Sequence, residues 1–460
     1  MQKKIIALAV AGLASSAAFA QTNVVVYGVA DGTFDYVWQS DSKNQSITDT
    51  TTFNAAGVQT GTTTTVSRQD NDLDTTRVSA NSSYIGFKGS EDLGNGLKAL
   101  FQYEMTVRFD AATGPTADRD SFVGLSHDKG GTVVFGNLTG PTRALGAALD
   151  VNPGATGIGA NTGVIGKIAG STLKSSITVT GTGVGNESAT LGSSCGRSST
   201  CSSIFDTRWA NSVAYLSPNW GGFSFAAAYT NALENKTPDN GTIYTATSVN
   251  GAPLVYTAAA PTWGQNLGQA DSYGYDIGAK WEGMGFMVGV TYNWAQLGDY
   301  VGTELDNIRV GGMYTAPNWS IRAMWEKTKA DFSSNVLSSS IDQQKFGIGG
   351  TFSFGKTTLL AQWYGTDDAS DISNSKANLY EVGALYNLSK RTMLKATWAM
   401  IDNDDGSIAD FGVNAIGNQS ISSTASVTTN ALGRTERLSV NSSGAGATNQ
   451  GIQIGIRHSF

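Results

Sequence analysis

Two histidines and two cysteines are the chain's whole stock of imidazole and thiol chemistry. His127 sits in a turn-forming stretch and His458 in the alternating segment GIQIGIRHSF, so neither a Ser-His-Asp relay nor a two-histidine metal site is evident. Cys195 and Cys201 stand close together in SCGRSSTC. Their spacing does not match a zinc knuckle and no histidine is near, so in an exported chain the pair most simply forms a disulfide. So short a ring adds at most about 2–3 kcal/mol, and its role is to stiffen the segment that carries it. GTGVGN at 181–186 lacks the Lys-Ser/Thr and the strand-to-helix context of a phosphate loop. The loop acids have no calcium-loop spacing. Neither a cofactor nor a metal is expected, nor an enzyme. The chemistry left to the chain is that of fixed charges, and what matters is which way they face.

Compartment and composition limit the answer. MQKK, the apolar run IIALAVAGLASSA and the small-x-small AFA at 18–20 read as a secretory signal peptide over residues 1–20, leaving 21–460 as one unit. No later window supplies the roughly 20 apolar residues of a membrane helix. A formal charge of −7, with no basic run, excludes a nucleic-acid partner. Charged residues make up only 15% of the chain, while glycine is abundant at 56 and proline scarce at 8, which argues against disorder and for strands. No Pro-rich or charged linker marks a boundary.

Alternating apolar and polar residues recur along the whole chain. Sixteen segments read as strands: 23–38, 74–90, 96–109, 118–127, 131–139, 208–217, 222–231, 272–282, 284–297, 307–316, 318–330, 342–354, 356–366, 377–388, 391–402 and 449–460. Short, turn-like connectors such as DKGG, PNWGG, EGMG and FGK alternate with long ones, the longest about 140–207. Successive connectors of an antiparallel sheet lie at opposite ends, so every short turn falls at one end and every long loop at the other. That asymmetry marks an all-β, 16-stranded antiparallel transmembrane barrel with short periplasmic turns and long external loops. Nothing in hydrocarbon satisfies an unpaired edge, so the last strand must pair with the first.

Facing follows from parity. In GFMVGVTYNW, Phe286, Val288, Val290, Tyr292 and Trp294 share one face, and charges elsewhere sit almost wholly on the opposite parity. A charge facing mid-bilayer costs about 2–4 kcal/mol, so the charged parity is the lumen. This assigns Lys88, Lys98, Arg108, Arg119, Lys280, Arg309, Arg322, Lys345, Lys395 and Arg457 to the lumen, against the fewer acids Asp31, Glu104, Asp276, Glu326 and Glu381. A basic wall favours anions. Aromatics towards strand ends, such as Trp220, Trp294, Trp319 and Trp398, suit the interfacial girdles of a membrane barrel.

The segments VVVYGVADGTFDY, IGFKGSEDLGNGLKALFQYE, RDSFVGLSHDKGGTVVFGN and GIRHSF resemble the first five strands and the last strand of the general diffusion porins of Gram-negative outer membranes, particularly the trimeric beta-proteobacterial type. The resemblance implies a homotrimer of barrels in contact with outer-membrane lipid and lipopolysaccharide. It implies a terminal Phe460 that signals to the barrel-assembly machinery, and a third long loop, here about 140–207, that folds into the pore and narrows it. It also implies an arginine ladder at the narrowest point, carried over here onto Arg108 and Arg119. Tyr84 and Asn137 stand where the family commonly has arginine, which weakens the expected anion preference. On the loop, Asp150, Glu187 and Asp206 would supply the opposing negative field, and Arg143 and Lys167 would line its pore side. With Asp31 and Asp35 facing the lumen, Gly28, Ala30, Gly32 and Phe34 face outward as a nearly smooth wall suited to subunit contact.

The function expected is passive diffusion of ions and small hydrophilic solutes with a weak anion preference. The alternative within the same fold is a channel specific for a dicarboxylate, phosphate or sugar. The alternative from another class is a surface enzyme or adhesin on a barrel, for which the needed cluster of acids and histidine at the external rim is missing.

Overall fold

The computed structural model describes residues 23–460 apart from 55, 57, 112, 168–174, 182–186, 192–203, 232–242, 248–254, 260–272, 299–301, 334–337, 371–372, 414, 417–419 and 431–432. The expected signal peptide and the Cys195–Cys201 pair lie outside the described residues.

The alternating segments form the strands of one closed antiparallel barrel. In chain order these are β1 (Asn23–Ser40), β2 in two pieces (Leu73–Ser79 and Tyr84–Gly94), β3 (Leu97–Thr106), β4 (Ser121–His127), β5 (Gly131–Thr139), β6 (Arg208–Leu216), β7 (Phe223–Thr230) and β8 (Tyr273–Gly283). The second half comprises β9 (Phe286–Gly298), β10 (Gly302–Thr315), β11 (Trp319–Ser333), β12 (Ser338–Phe354), β13 (Thr357–Thr366), β14 (Ala377–Asn387), β15 (Thr392–Asn403) and β16 (Thr448–Ser459). Each strand pairs with its neighbour in sequence, and β16 closes on β1 over Val29–Ser40. Gly28 and Phe460 exchange both backbone hydrogen bonds, at 3.1 and 3.3 Å, so the seam is satisfied to its last residue.

Parity is kept along most strands, and a bulge between Trp209 and Ser212 shifts it on β6. On β1, Asp31 and Asp35 are buried inside while Phe34 is exposed outside. The outward aromatics form two belts. Phe286–Tyr314 and Tyr314–Trp319, with ring centroids 4.5 and 5.3 Å apart, lie at the short-turn end, and Tyr229–Tyr275 and Tyr275–Trp294, 5.2 and 6.0 Å apart, at the long-loop end. Such rings sit at the two lipid–water boundaries, where an amphipathic ring is most stable.

The structure differs from the sequence reading in two places. The second strand is interrupted at Ala80–Ser83, where Asn81 takes φ +44°. Side chains replace the missing ladder: Asp31 N donates to Ser83 Oγ at 2.8 Å, Asn81 Nδ2 to Asp31 Oδ1 at 2.9 Å, and Ala80 N to Asp110 Oδ2 at 2.7 Å. The long loops also carry strands. Hairpins Lys43–Asn54/Gln59–Asp70 from loop 1, Ser420–Asn430/Gly433–Ala445 from loop 8 and Ser175–Gly181/Glu187–Leu191 from loop 3 join in one six-stranded external sheet. Their residues are mostly Ser, Thr and other polar types without a two-residue hydrophobic period, which is why alternation did not reveal them.

The outer wall of β1 is less bare than its glycines suggest. A Cβ on Gly28 would meet the ring of Phe460, and one on Gly32 would lie 3.1 Å from the ring of Phe109. Ala30 and Phe34 remain exposed.

Candidate functional site

Loop 3 leaves β5 and runs inside the barrel as helix α1 (Pro141–Leu149), a turn-rich stretch, and the 3-10 turn Asn161–Gly163. No residue of its own caps α1: Gly140 stands at the N-cap. The barrel supplies the cap instead. Asp276 on β8 accepts Thr142 N at 3.1 Å and Thr142 Oγ1 at 2.6 Å, placing a carboxylate at the positive end of the helix.

Beyond the cap, the loop is held by a buried ionic network. The Arg309 guanidinium on β10 donates to both Asp206 carboxylate oxygens, at 3.0 and 2.8 Å, to Glu326 at 2.6 Å and to the Thr142 carbonyl at 2.6 Å. Glu326 on β11 also accepts Gly166 N at 2.7 Å and pairs with Lys345 at 3.5 Å. Arg309, Glu326 and Lys345 have essentially no exposed surface. Water cannot stand in for any partner, so each charge depends on the others.

A second polar cluster follows. Asp150 accepts Asn152 N and Asn161 N, both at 2.7 Å, and Gln362 Nε2 at 3.3 Å. Glu381 accepts Asn152 Nδ2 at 2.7 Å and Gln362 Nε2 at 2.8 Å. Burial pushes the Asp150 carboxyl above its usual value, against the pull of these hydrogen bonds. Arg322 on β11 donates to the Asp150 carbonyl.

Packing fixes the rest. Inward-facing wall glycines form sockets for the loop's apolar side chains: Leu145 against Gly289, Leu149 against Gly311, Val151 against Gly349 and Ile158 against Gly451. Only a residue without Cβ lets the loop approach so closely. Substituting Gly311 by valine is therefore expected to displace Leu149, cost about 1–3 kcal/mol and change single-channel conductance while the barrel still folds. Planar-bilayer recording beside heat resistance of the folded form on gels checks this.

Four residues expected at the pore are thus placed differently. Asp150 is buried by the loop's own backbone and presents no open charge to water. Lys345 has lumen parity but is covered by loop 3. Arg108 lies past the end of β3 and is exposed in the turn where Ala111 N donates to its carbonyl, so the third strand does not carry it into the barrel. Asp206, expected to face the pore, is locked against Arg309. Arg322 is half-buried and holds the loop, and Arg457 pairs with Asp31 at 2.9 Å with only 14% of its side chain exposed.

A further charged cluster lies where β1–β6 meet α1. Arg119, just before β4, stacks on Tyr84 with 4.3 Å between its guanidinium carbon and the ring centroid, and its Nε donates to Glu104 at 3.2 Å. Asn137, standing where arginine was expected, donates to the Arg119 carbonyl at 2.9 Å and so positions it. Lys88 lies 4.7 Å over the ring of Tyr27, whose hydroxyl donates to Glu104 at 2.8 Å. Arg208 at the start of β6 donates to Asp120 at 2.9 Å. Asp120 is pushed up by burial but held below the usual carboxylate range by Arg208 and Thr139. Arg143 projects from α1 into this field. Burial, then Arg208, with Arg119 adding a smaller share, push its pKa down to about 10, which leaves it charged at neutral pH. Tyr27, Arg208 and Asp120 escaped the sequence reading. Arg208 had one signal, its position as the first strand residue after the long loop.

Lys167 ends the inner part of the loop, donating to the carbonyls of Gly163 at 2.8 Å and Asp410 at 3.4 Å. Burial pushes its pKa down to about 8, with Asp410 and Asp206 opposing the shift and Lys345 reinforcing it. The fold thus favours the neutral form. A positive charge present at pH 7 is lost as pH rises through about 8, and whatever anion preference it adds is lost with it. Reversal potentials measured from pH 7 to 9 should shift towards cations in the wild type, and the step should vanish in Lys167→Met.

Comparison with known proteins sets this geometry in context. A profile described as Gram-negative porin matches residues 7–406. Over the whole length of both chains, the sequence is 26% identical to outer membrane porin protein 32 of Delftia acidovorans. A 138-residue stretch, 30% of this chain and 32% of the relative, is 34% identical to the major outer membrane protein P.IB of Neisseria meningitidis. Among solved structures, an anion-selective porin from Comamonas acidovorans superposes with a TM-score of 0.59 at 22% identity, covering 96% of this chain and all of that one. A loop-8 deletion mutant of OmpT from Vibrio cholerae superposes with a TM-score of 0.53 at 12% identity, covering 95% and 99%.

Proposed function

The chain belongs to the Gram-negative porin family and is an outer-membrane channel, and on that premise we propose that it is a passive diffusion pore for ions and small hydrophilic solutes with a weak preference for anions. One observation carries the preference. The barrel wall and α1 bring four cations together, Lys88, Arg119 and Arg208 with Arg143 of α1, against two carboxylates, Glu104 and Asp120, each already paired with an arginine. Charge of one sign at a constriction lowers the entry barrier for the opposite ion. The preference stays weak because the Glu104 and Asp120 charges offset half of the four and the pore is water-filled.

The similarity to an anion-selective porin of Comamonas acidovorans supports the same sign. The protein in planar bilayers under a salt gradient should show ohmic channels with a reversal potential on the anion side. A cation-side potential overturns the preference, and a conductance that saturates with one solute overturns passive diffusion.

Assembly as a homotrimer belongs to this reading. A trimer form of OmpT from Vibrio cholerae superposes with a TM-score of 0.51. The β1 outer wall around Ala30 and Phe34, with Phe109 and Phe460 seated on its glycines, is the contact face we assign. Cross-linking should yield a three-chain species that Phe34→Asp weakens. The exposed Phe460, at the closed seam, is the residue we assign to recognition by the assembly machinery.

A further inference from the structure

Loop 3 is gripped from two sides, and only one of them is the barrel wall. The other is loop 8. After β15, the chain folds back over residues 162–167, where the inner part of loop 3 ends. Phe411 is 2% exposed and belongs to the same apolar cluster as Val164 and Ile165 of loop 3 and Leu379 and Ile401 of the wall. Gly412 lies so close to Thr162 and Gly163 that a Cβ would overlap both. Lys167 reaches the Asp410 carbonyl at 3.4 Å.

Higher up, loop 3 leaves the lumen and its strand Ser175–Gly181 pairs in parallel with Ser423–Thr429 of the loop 8 hairpin. That hairpin is itself fastened to loop 1. Gly433–Ala445 pairs with Lys43–Asn54, and Asp405 accepts Lys43 at 3.8 Å and Arg68 at 3.3 Å. A constriction loop 68 residues long by the limits 140–207 is thus held by the wall at α1 and Asp206, and by loop 8 at residues 162–167 and Ser175–Gly181.

We propose that loop 8 is a positioning element of the pore: Phe411 and Gly412 press residues 162–165 of loop 3 against the wall, and the external strand pairing keeps its distal arm out of the channel. The proposal rests on the reading of residues 140–207 as the constriction. Two packed arrangements of a loop separated by few contacts give a two-state pore, and loss of contacts that favour one state shifts the populations. An element fastened to the external sheet makes the pore's open-state statistics sensitive to what happens outside the cell.

Two variants of the full-length protein test this. Phe411→Ala removes the plug, with Phe411→Leu as its conservative partner, and a second variant replaces the hairpin 420–445 by a short Gly-Ser linker, leaving the plug in place. Single-channel recording is expected to show the occupancy of sub-conductance states rising about tenfold in Phe411→Ala and in the hairpin replacement, the change that about 1.4 kcal/mol makes in a two-state equilibrium. Phe411→Leu should stay near wild type. A purely structural role would lower heat resistance without moving the sub-state distribution. Should Phe411→Ala fail to fold, the hairpin replacement decides, since apart from Ala445, packed on Ile408, it removes only external strand residues. A wild-type distribution in the variants that fold overturns the assignment. Absence of conductance in the wild-type protein would instead overturn the underlying reading of the chain as a pore.

Discussion

Replacing Arg309 with methionine will loosen the constriction loop more than any other single change. Arg309 is fully buried between Asp206 of the loop and Glu326 of the wall, and also donates to the Thr142 carbonyl. Removing the guanidinium leaves two buried carboxylates facing each other, with Lys345, Lys167 and Arg143 the nearby cations that remain. Breaking a buried pair in this way costs about 3–5 kcal/mol. Part of that cost can be avoided if Asp206 moves out to water, taking the end of loop 3 with it. The expected outcome is a barrel that still forms, because its strand ladder is untouched, with lower resistance to heat or denaturant and larger, noisier channel openings. Unfolding in detergent and bilayer recording measure the two effects separately. The double variant Arg309→Met/Asp206→Asn should recover part of the stability, since it removes one of the stranded charges. A wild-type conductance histogram with normal stability would show that this network does not hold the loop.

The second large effect is on ion selectivity. Reversing charge at Arg119 and Arg143 together, as Arg119→Glu/Arg143→Glu, is expected to turn an anion preference into a cation preference. A unit charge about 6 Å from a permeating ion is worth about 0.7 kcal/mol in a water-like dielectric. Reversing it changes the barrier by about twice that, which is about tenfold in relative permeability. Two such reversals exceed any weak initial preference. The effect should fade with added salt, because the screening length falls from about 10 Å at 0.1 M to about 3 Å at 1 M. Lys345→Glu is the informative contrast: it also faces the lumen, but its charge is sealed under loop 3, so it should cost stability rather than move the reversal potential. An unchanged sign of the potential in the double variant would place the selectivity elsewhere.

Some of this was legible in the chain and some was not, for reasons visible in particular residues. GFMVGVTYNW became β9 within two residues of its expected start, and QQKFGIGGTFSF lies within β12, because lipid on one side and water on the other impose a two-residue period that few other structures share. The break in β2 was not legible. Its cause is a set of side-chain hydrogen bonds from Ser83, Asn81 and Asp110 to residues far away in sequence. Loop 3 carries no period at all. Its glycines and polar residues make sense only beside Asp276, Arg309 and Glu381, which lie more than a hundred residues further on.

By itself, then, the sequence determined the strands, the face each turns to lipid, the closure of the ring and the membrane in which it sits. These follow from a local rule, repeated at every strand, that a side chain must match the solvent it meets. Which lumen charges meet water was decided only by the tertiary structure. Lys345 and Lys88 both face the lumen, and a folded loop covers one and leaves the other exposed. Covering depends on many weak contacts between distant segments, and no local pattern of residues encodes their sum.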